Sequence, residues 1–561
     1  MRRSLTVAFA VLALLGVLAP PVFAQAPAPK VTIEGFIDQT TTWDHNMSIY
    51  DTDVTNRKDD QWYGRERGRF QITGEVGKVK GVFLFEHDAQ FGSSSGRQYG
   101  AASEGCNAVS TTTIGCPFGR GDGSLQTEFG RLEIVWLYTE FPLTGPGSVL
   151  PFVPVPGTIR AGFQPFENDT YKLGVLAFGN YGGLHAEIDL MPGLRLTWTY
   201  AQIEEALTGR HDGFTRGDDF ASIFTLELSP FKGLDIKPIF AYYYANGTAN
   251  AGDHGPRQSR GGVLDIAGYF PDGTTENRYT IGVDSKWRSG PFSVDPTVFY
   301  QFGERQIVPT VASGKTIHNC GGNPCVDQDE SAWLFDLRAG WQSGPLTVEG
   351  LFSYITGNSA GDELRAGRTV GYYQAISTNA VYGYEWGAIT AITLDYLSLM
   401  NYGNSGLQLS DGPGYDKYGE IRLGARAKYN VTPDFLLRGV VMGLLTAHDV
   451  DTRGRTNNGC VTNAIQPAVA AANDNCNSSG LVPTRVGPQS QGKDNYLGTE
   501  VNVGFEWHFA PNIALLWLYG HLFAGSALDN ADCQFNGRCG PGQTKSAKDI
   551  DVTTAVVRYT F

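Results

Sequence analysis

Three arginines stand at alternate positions in Gly64-Arg65-Glu66-Arg67-Gly68-Arg69. In an extended chain residues i and i+2 share a face, so Arg65, Arg67 and Arg69 form one cationic ladder. Gln71 and Glu75 continue that face, while Phe70, Ile72 and Val76 point the other way. Guanidinium groups lined up beside water can hold carboxylate, phosphate or sulfate groups through paired N–H donors. The plainer use of the same side chains is to pair with carboxylates on neighbouring strands, for which Glu34, Asp38, Glu86 and Asp88 are candidates. Both uses are open at this point. More charges of both signs fall at polar alternate positions: Arg131 with Glu133, Arg160, Glu187 with Asp189, Arg195, Arg338, Arg422 with Arg426, and Arg438.

Other chemistry is thinly represented. Of nine histidines, His87 beside Asp88 comes nearest to a catalytic dyad. Adjacent strand residues face opposite sides, so the two do not form one, and no catalytic residue is assigned. The eight cysteines form four close pairs, Cys106 with Cys116, Cys320 with Cys325, Cys460 with Cys476 and Cys533 with Cys539. Each pair lies in a Gly/Asn/Ser-rich stretch, which in an oxidising compartment reads as a small loop staple, with pairing across loops as the alternative. There is no CxxC pairing and no adjacent His cluster, so neither a metal nor a cofactor is expected.

The elements that must carry these residues are strands. Gly (71 residues), Tyr (26) and Phe (31) are abundant. After residue 24 no apolar run is long enough for a transmembrane helix. Alternation marks strands near 31–43, 64–76, 81–91, 127–142, 157–166, 183–190, 194–204, 218–229, 234–245, 276–288, 291–303, 331–342, 345–356, 416–429, 434–446, 496–508, 512–524 and 548–561. That makes eighteen, with sixteen or twenty as the margin, since 183–190 is weakly marked and 357–415 could hold a further pair or a folded loop. The connections alternate between short turns, such as Met191-Pro192-Gly193 and Ala510-Pro511-Asn512, and long loops that contain all the cysteines. An up-and-down barrel across a membrane gives that alternation. In Leu194-Leu196-Trp198-Tyr200 and in Leu497, Val501, Val503, Phe505, Trp507 one face is apolar; Arg195, Thr197, Thr199 and Glu500, Asn502, Glu506, His508 form the other. A charged inner face requires a wet interior, and a barrel of this size leaves room for one. Trp43, Trp62, Trp136 with Tyr138, Tyr242 with Tyr244, Trp341 and Trp507 are expected at the membrane–water rims.

The first 24 residues have the form of a cleavable secretory signal: Arg2 and Arg3, an apolar run from Leu5 to Leu18, and Val22-Phe23-Ala24. Residues 25–30 then make a short linker and 31–561 the barrel. Those two arginines are the signal's only charges, so its removal takes the net charge from −14 to −16. An acidic chain of this kind argues against nucleic acid as a partner.

At the other end, Phe561, Tyr559, Val557 and Ala555 make an apolar face that ends on an aromatic, opposite Thr560, Arg558, Val556 and Thr554. This resembles the closing strand of Gram-negative outer-membrane β-barrels. The resemblance implies that Tyr559 and Phe561 belong to an assembly signal read by the barrel assembly machinery. Glu167 to Gly182, apolar at Leu173, Val175, Leu176 and Phe178, either folds into the lumen, as the loop after the fifth strand does in porins, or adds a strand.

Taken together, signal, strand count, terminal Phe and this loop resemble an outer-membrane porin. In size the chain is nearest to the eighteen-stranded alginate-export-type and substrate-specific porins. Arg160-Ala161-Gly162-Phe163-Gln164 is similar to a strand of the alginate-export type. The resemblance implies an all-β transmembrane antiparallel barrel in the outer membrane, in contact with lipid and lipopolysaccharide, either monomeric or a homotrimer. It implies passage of small hydrophilic solutes, and the inward arginines favour anionic or acidic ones. A sugar or polysaccharide export channel, and a sleeve around a partner such as a cytochrome, are the alternatives; an enzyme is not expected.

Overall fold

The computed structural model describes residues 28–46, 60–91, 132–166, 170–204, 219–247, 274–307, 326–359, 369–377, 386, 414, 418–450, 494–529 and 546–561. Its strands are β1 (Lys30–His45), β2 (Asp60–Val76), β3 (Val79–Phe91), β4 (Leu132–Thr144), β5 (Gly157–Pro165), β6 (Ala177–Phe178), β7 (Asn180–Met191), β8 (Leu194–Glu204), β9 (Asp219–Phe231) and β10 (Leu234–Gly247). They continue as β11 (Thr274–Ser289), β12 (Phe292–Ile307), β13 (Val326–Ser343), β14 (Leu346–Ile355), β15 (Ile376–Ser377), β16 (Glu420–Thr432), β17 (Phe435–Val450), β18 (Asp494–Ala510), β19 (Ile513–Ala524) and β20 (Ile550–Thr560). All but the two-residue β6 and β15 belong to one 18-stranded sheet in which each strand pairs antiparallel with its neighbour in sequence. β1 pairs with β2 on one side and with β20 on the other, from Phe36 opposite Thr560 to His45 opposite Asp551. The sheet is therefore a closed barrel without free edges, as the alternation of short and long connections predicts.

Tight turns at one end follow from local chemistry. Gly193 (φ 79°) and Gly233 (φ 92°) take a backbone conformation that side chains oppose, and Asn512 (φ 63°) tolerates it beside Pro511. Closure is completed by Phe561, whose N–H donates to the Gly35 carbonyl and whose carbonyl accepts from the Gly35 N–H, both at 3.0 Å. Its ring lies 5.5 Å from that of Phe70 and 5.8 Å from that of Tyr559, on the outer face.

Residues that alternate along the strands divide cleanly into an outer apolar face and an inner face. Leu194, Leu196, Trp198 and Tyr200 face out, and so do Trp341 and Trp507. Two expectations need correction. The ladder irregularity between Leu84 and Phe85 on β3, where β4 carries an extra residue, turns Trp136 and Tyr138 inward, and the Trp136 indole N–H donates to Asn180 Oδ1 at 2.7 Å. A break in the register beside Gly498 (φ 147°) turns Leu497 inward, into a fully buried position, away from the outward Val501 and Val503. Of the two readings of the segment after β5, the structure takes the first: it folds inside the barrel, with only the two-residue β6 as strand.

Two inner clusters make the core. In one, Val175, Leu176 and Ala177 of that inserted segment and Tyr373 and Ile376 of the segment after β14 pack on Ala201, Ala221, Ile223, Ile239, Ala241, Phe299, Ala332 and Leu334. In the other, Trp386 and Tyr418 pack with Val440, Met442, Leu444, Leu497, Leu522 and Val552. The signal and linker (1–27) and all eight cysteines lie outside the described residues.

Candidate functional site

Register places the ladder residues. Asp38 lies opposite Arg67 and Arg558, Phe36 opposite Arg69, and Arg67 and Arg69 opposite Asp88 and Glu86. Period-two geometry thus sets Arg65, Arg67, Arg69, Glu86 and Asp38 on the inner face together. Arg67 donates to Glu86 at 2.9 Å, and Arg69 binds the other oxygen of the same carboxylate. Arg558 grips Asp38 with two bonds, 2.7 and 2.5 Å, and lies over the Phe36 ring at 4.6 Å. Arg160 donates to Glu140 at 2.8 Å, Lys80 reaches the same carboxylate at 3.1 Å, and Arg160 also lies over the Tyr138 ring. Arg558, Glu140 and Lys80 were missed by the sequence reading. Each sits opposite a residue of opposite charge once the register is known.

Several further inward charges are paired along or across strands. Arg195 donates to Glu187 at 3.0 Å and to Asp189 at 2.6 Å, Arg338 to Asp336 at 3.2 Å, and Arg426 to Glu349 at 2.8 Å. Arg422 pairs with Glu420 at 2.7 Å, and both are fully buried, so this pair holds the wall rather than facing water. Arg438 lies opposite Lys428 on the inner face, and Glu133 lies opposite Glu86. Arg131 and the side chain of Asp88 lie outside the described residues. The plainer reading of the arginines, pairing with wall carboxylates, is realised at Arg67, Arg69, Arg160, Arg195, Arg338, Arg422 and Arg426.

Against the opposite wall the two inserted segments are fastened. The Lys172 ammonium, almost fully buried, donates to the carbonyls of Asp295 (2.7 Å) and Asp336 (3.2 Å) and to the Thr297 hydroxyl, with the carboxylates of Asp336 and Asp284 at 3.2 and 3.8 Å. Burial lowers its pKa from the ordinary lysine value, and the Asp336 and Asp284 carboxylates oppose that shift. The Tyr171 N–H donates to Asp284 at 2.5 Å, and its ring lies under Lys237 and Lys286 at 4.5 and 4.3 Å. The second segment is tied by Gln301, which accepts from the Gln374 N–H at 2.8 Å and donates to its carbonyl at 2.6 Å. The segments also join each other: the Ile376 N–H donates to the Leu176 carbonyl at 2.6 Å, the Tyr373 hydroxyl to the Val175 carbonyl at 2.9 Å, and β6 and β15 form a short parallel ladder. His87 and Glu86 face opposite sides of β3.

The inner space is thus bounded by a charged wall, β20 and β1–β5, and by a wall that the chain's own segments cover. No family model and no curated protein matches the sequence. Several solved structures are similar in fold. OccK8 (OprE) of Pseudomonas aeruginosa is 9% identical over 95% of this chain and 98% of that one, with a TM-score of 0.45. OccAB3 of Acinetobacter baumannii is 10% identical over 94% and 99%, TM-score 0.45, and a BenF-like porin from Pseudomonas fluorescens Pf-5 is 10% identical over 95% and 98%, TM-score 0.44. The expected architecture is borne out by the sheet itself: this chain is an all-β, closed, antiparallel barrel of 18 strands.

Proposed function

We propose that the chain forms a water-filled outer-membrane channel for small hydrophilic solutes, with a weak preference for anions. The outer face, apolar at alternate residues round a closed sheet, suits lipid, and the charged inner face requires water. One observation carries the preference. In the ion pairs of the charged wall the cation is the more exposed member: Arg69 is 33% exposed and Glu86 7%, and Arg558 is 43% exposed and Asp38 2%. The carboxylates are set back in the wall and the guanidinium heads stand before them, so a solute meets the positive end of each dipole first. The acidic balance of the whole chain acts more weakly, because charges beyond about 8–10 Å are screened at physiological salt.

The two inserted segments bear on the alternatives. Occupying part of the lumen with apolar cores of their own, they support a selective passage over a sleeve that would admit a folded partner. Planar-bilayer reversal potentials in asymmetric salt test the proposal. A modest anion preference is expected, and strong cation selectivity of the wild type would refute it.

A further inference from the structure

The outer face of β1 and β2 carries a polar pair where lipid should be. Gln39 and Glu66 lie directly opposite each other in the ladder and both point outward, since their neighbours Asp38, Thr40, Arg65 and Arg67 point in. Above them stands the outward Trp43–Trp62 pair, and below them Phe70, packed on Phe561. Glu66 is four residues from Trp62 and four from Phe70, roughly 10 Å along the barrel axis from each. It therefore sits near mid-depth of the apolar band. Among the described outward residues between those marks on β20 and β1–β5 it is the one carboxylate. Neither the Glu66 carboxylate nor the Gln39 amide has a hydrogen bond or ion pair among the described residues.

A carboxylate at that depth is costly against lipid, and such groups are found facing protein. The surroundings permit close approach. Gly64 flanks Glu66 on one side and Gly68, covered by the Phe70 ring, on the other, and Thr41, Ala555 and Val557 lie beside Gln39. Lower on the same face a Cβ at Gly74 or Gly81 would meet no atom within 4 Å, so the chain's own packing does not demand glycine there. His87, diagonal to Glu66 across the ladder, faces the same side.

We propose that this face is the contact between two copies of the chain, in place of the monomer or homotrimer that the resemblance implies. Donor and acceptor sit side by side at one depth. A two-fold axis along the membrane normal therefore brings the Gln39 amide of each copy to the Glu66 carboxylate of the other. The surface is self-complementary, which is what an isologous contact needs. The inference rests on the membrane placement proposed above, not on the channel's selectivity.

Light scattering of the full chain in mild detergent, corrected for bound detergent, gives the copy number. Two copies are expected for the wild type. The Gln39→Leu/Glu66→Leu double variant, better suited to lipid, should fold with the same heat-dependent gel shift and run at half the protein mass. Should the double variant misfold, Gln39→Leu alone carries the same expectation. Glu66→Gln keeps a hydrogen-bonding side chain and should stay paired. A wild type at any other copy number, a leucine variant that stays paired, or a Glu66→Gln variant that separates overturns the inference. A chain soluble without detergent would instead refute the membrane placement.

Discussion

The inner faces of β8–β14 and of β20 with β1–β5 obey the same period of two, yet they are finished in opposite ways. The first carries a patch of small and branched apolar residues, Ala201, Ala221, Ile223, Ile239, Ala241, Ala332 and Leu334, set among buried charges such as Lys237, Arg278, Asp284 and Asp336, and the patch is covered by Val175, Leu176, Tyr373 and Ile376. The second is built of Asp38, Arg67, Arg69, Glu86, Glu140, Arg160 and Arg558, which satisfy one another and need no cover. An apolar inner face left to water would cost about 25 cal/mol per Å². A charged face covered by apolar segments would lose its hydration. Each wall therefore dictates what lies against it. The lumen's asymmetry follows from the apolar patch on β8–β14, against which the inserted segments lie.

The covered wall is most exposed to disruption at the fastening. Lys172→Met takes the buried cation from Asp284 and leaves Asp336 with Arg338 alone, a loss on the order of 3–5 kcal/mol for removing one partner of a buried set. The inserted segment should leave the wall, raising single-channel conductance while the barrel still shows its gel shift. Unchanged conductance would mean that the apolar contacts alone hold it. Leu176→Ala tests those contacts, deleting a fully buried side chain at a cost of about 2–4 kcal/mol. A smaller rise in conductance, or more frequent transitions between levels, is expected.

Strand number, closure and the faces of Arg65, Arg67 and Arg69 were legible in the sequence, because alternation and turn chemistry are local signals. Leu497, Trp136 and Tyr138 were not, since a single extra residue in a ladder reverses a face and leaves no mark on the pattern. The partners of Arg558 and Glu140 depend on register, which joins residues far apart in sequence. The fate of Val175 and Leu176 was half legible: their apolarity required burial, but it left folding into the lumen and an added strand equally open. The long loops also carry the cysteine pairs, for which we propose four neighbouring bridges. Closing small loops, each should stabilise its own loop by about 2–3 kcal/mol and leave both walls unaffected. Reduction should expose the loops to protease at unchanged conductance, and peptide mapping that found long-range pairs would refute the pairing.

The finest contrast lies within the charged wall itself. Arg65 is buried, whereas Arg69 and Arg558 present their guanidinium heads to the lumen. A unit charge about 7 Å from a passing ion is worth about 0.6 kcal/mol in water, or roughly a threefold change in relative permeability. Arg69→Gln with Arg558→Gln should therefore move the reversal potential towards cations, and Arg65→Gln should move it much less. The difference should shrink as salt rises from 0.1 to 1 M, because the screening length falls from about 10 to about 3 Å. Equal shifts from buried and exposed arginines would mean that the field comes from the wall as a whole. In that case the recessed carboxylates, and not the exposed guanidinium heads, would be the residues to replace next.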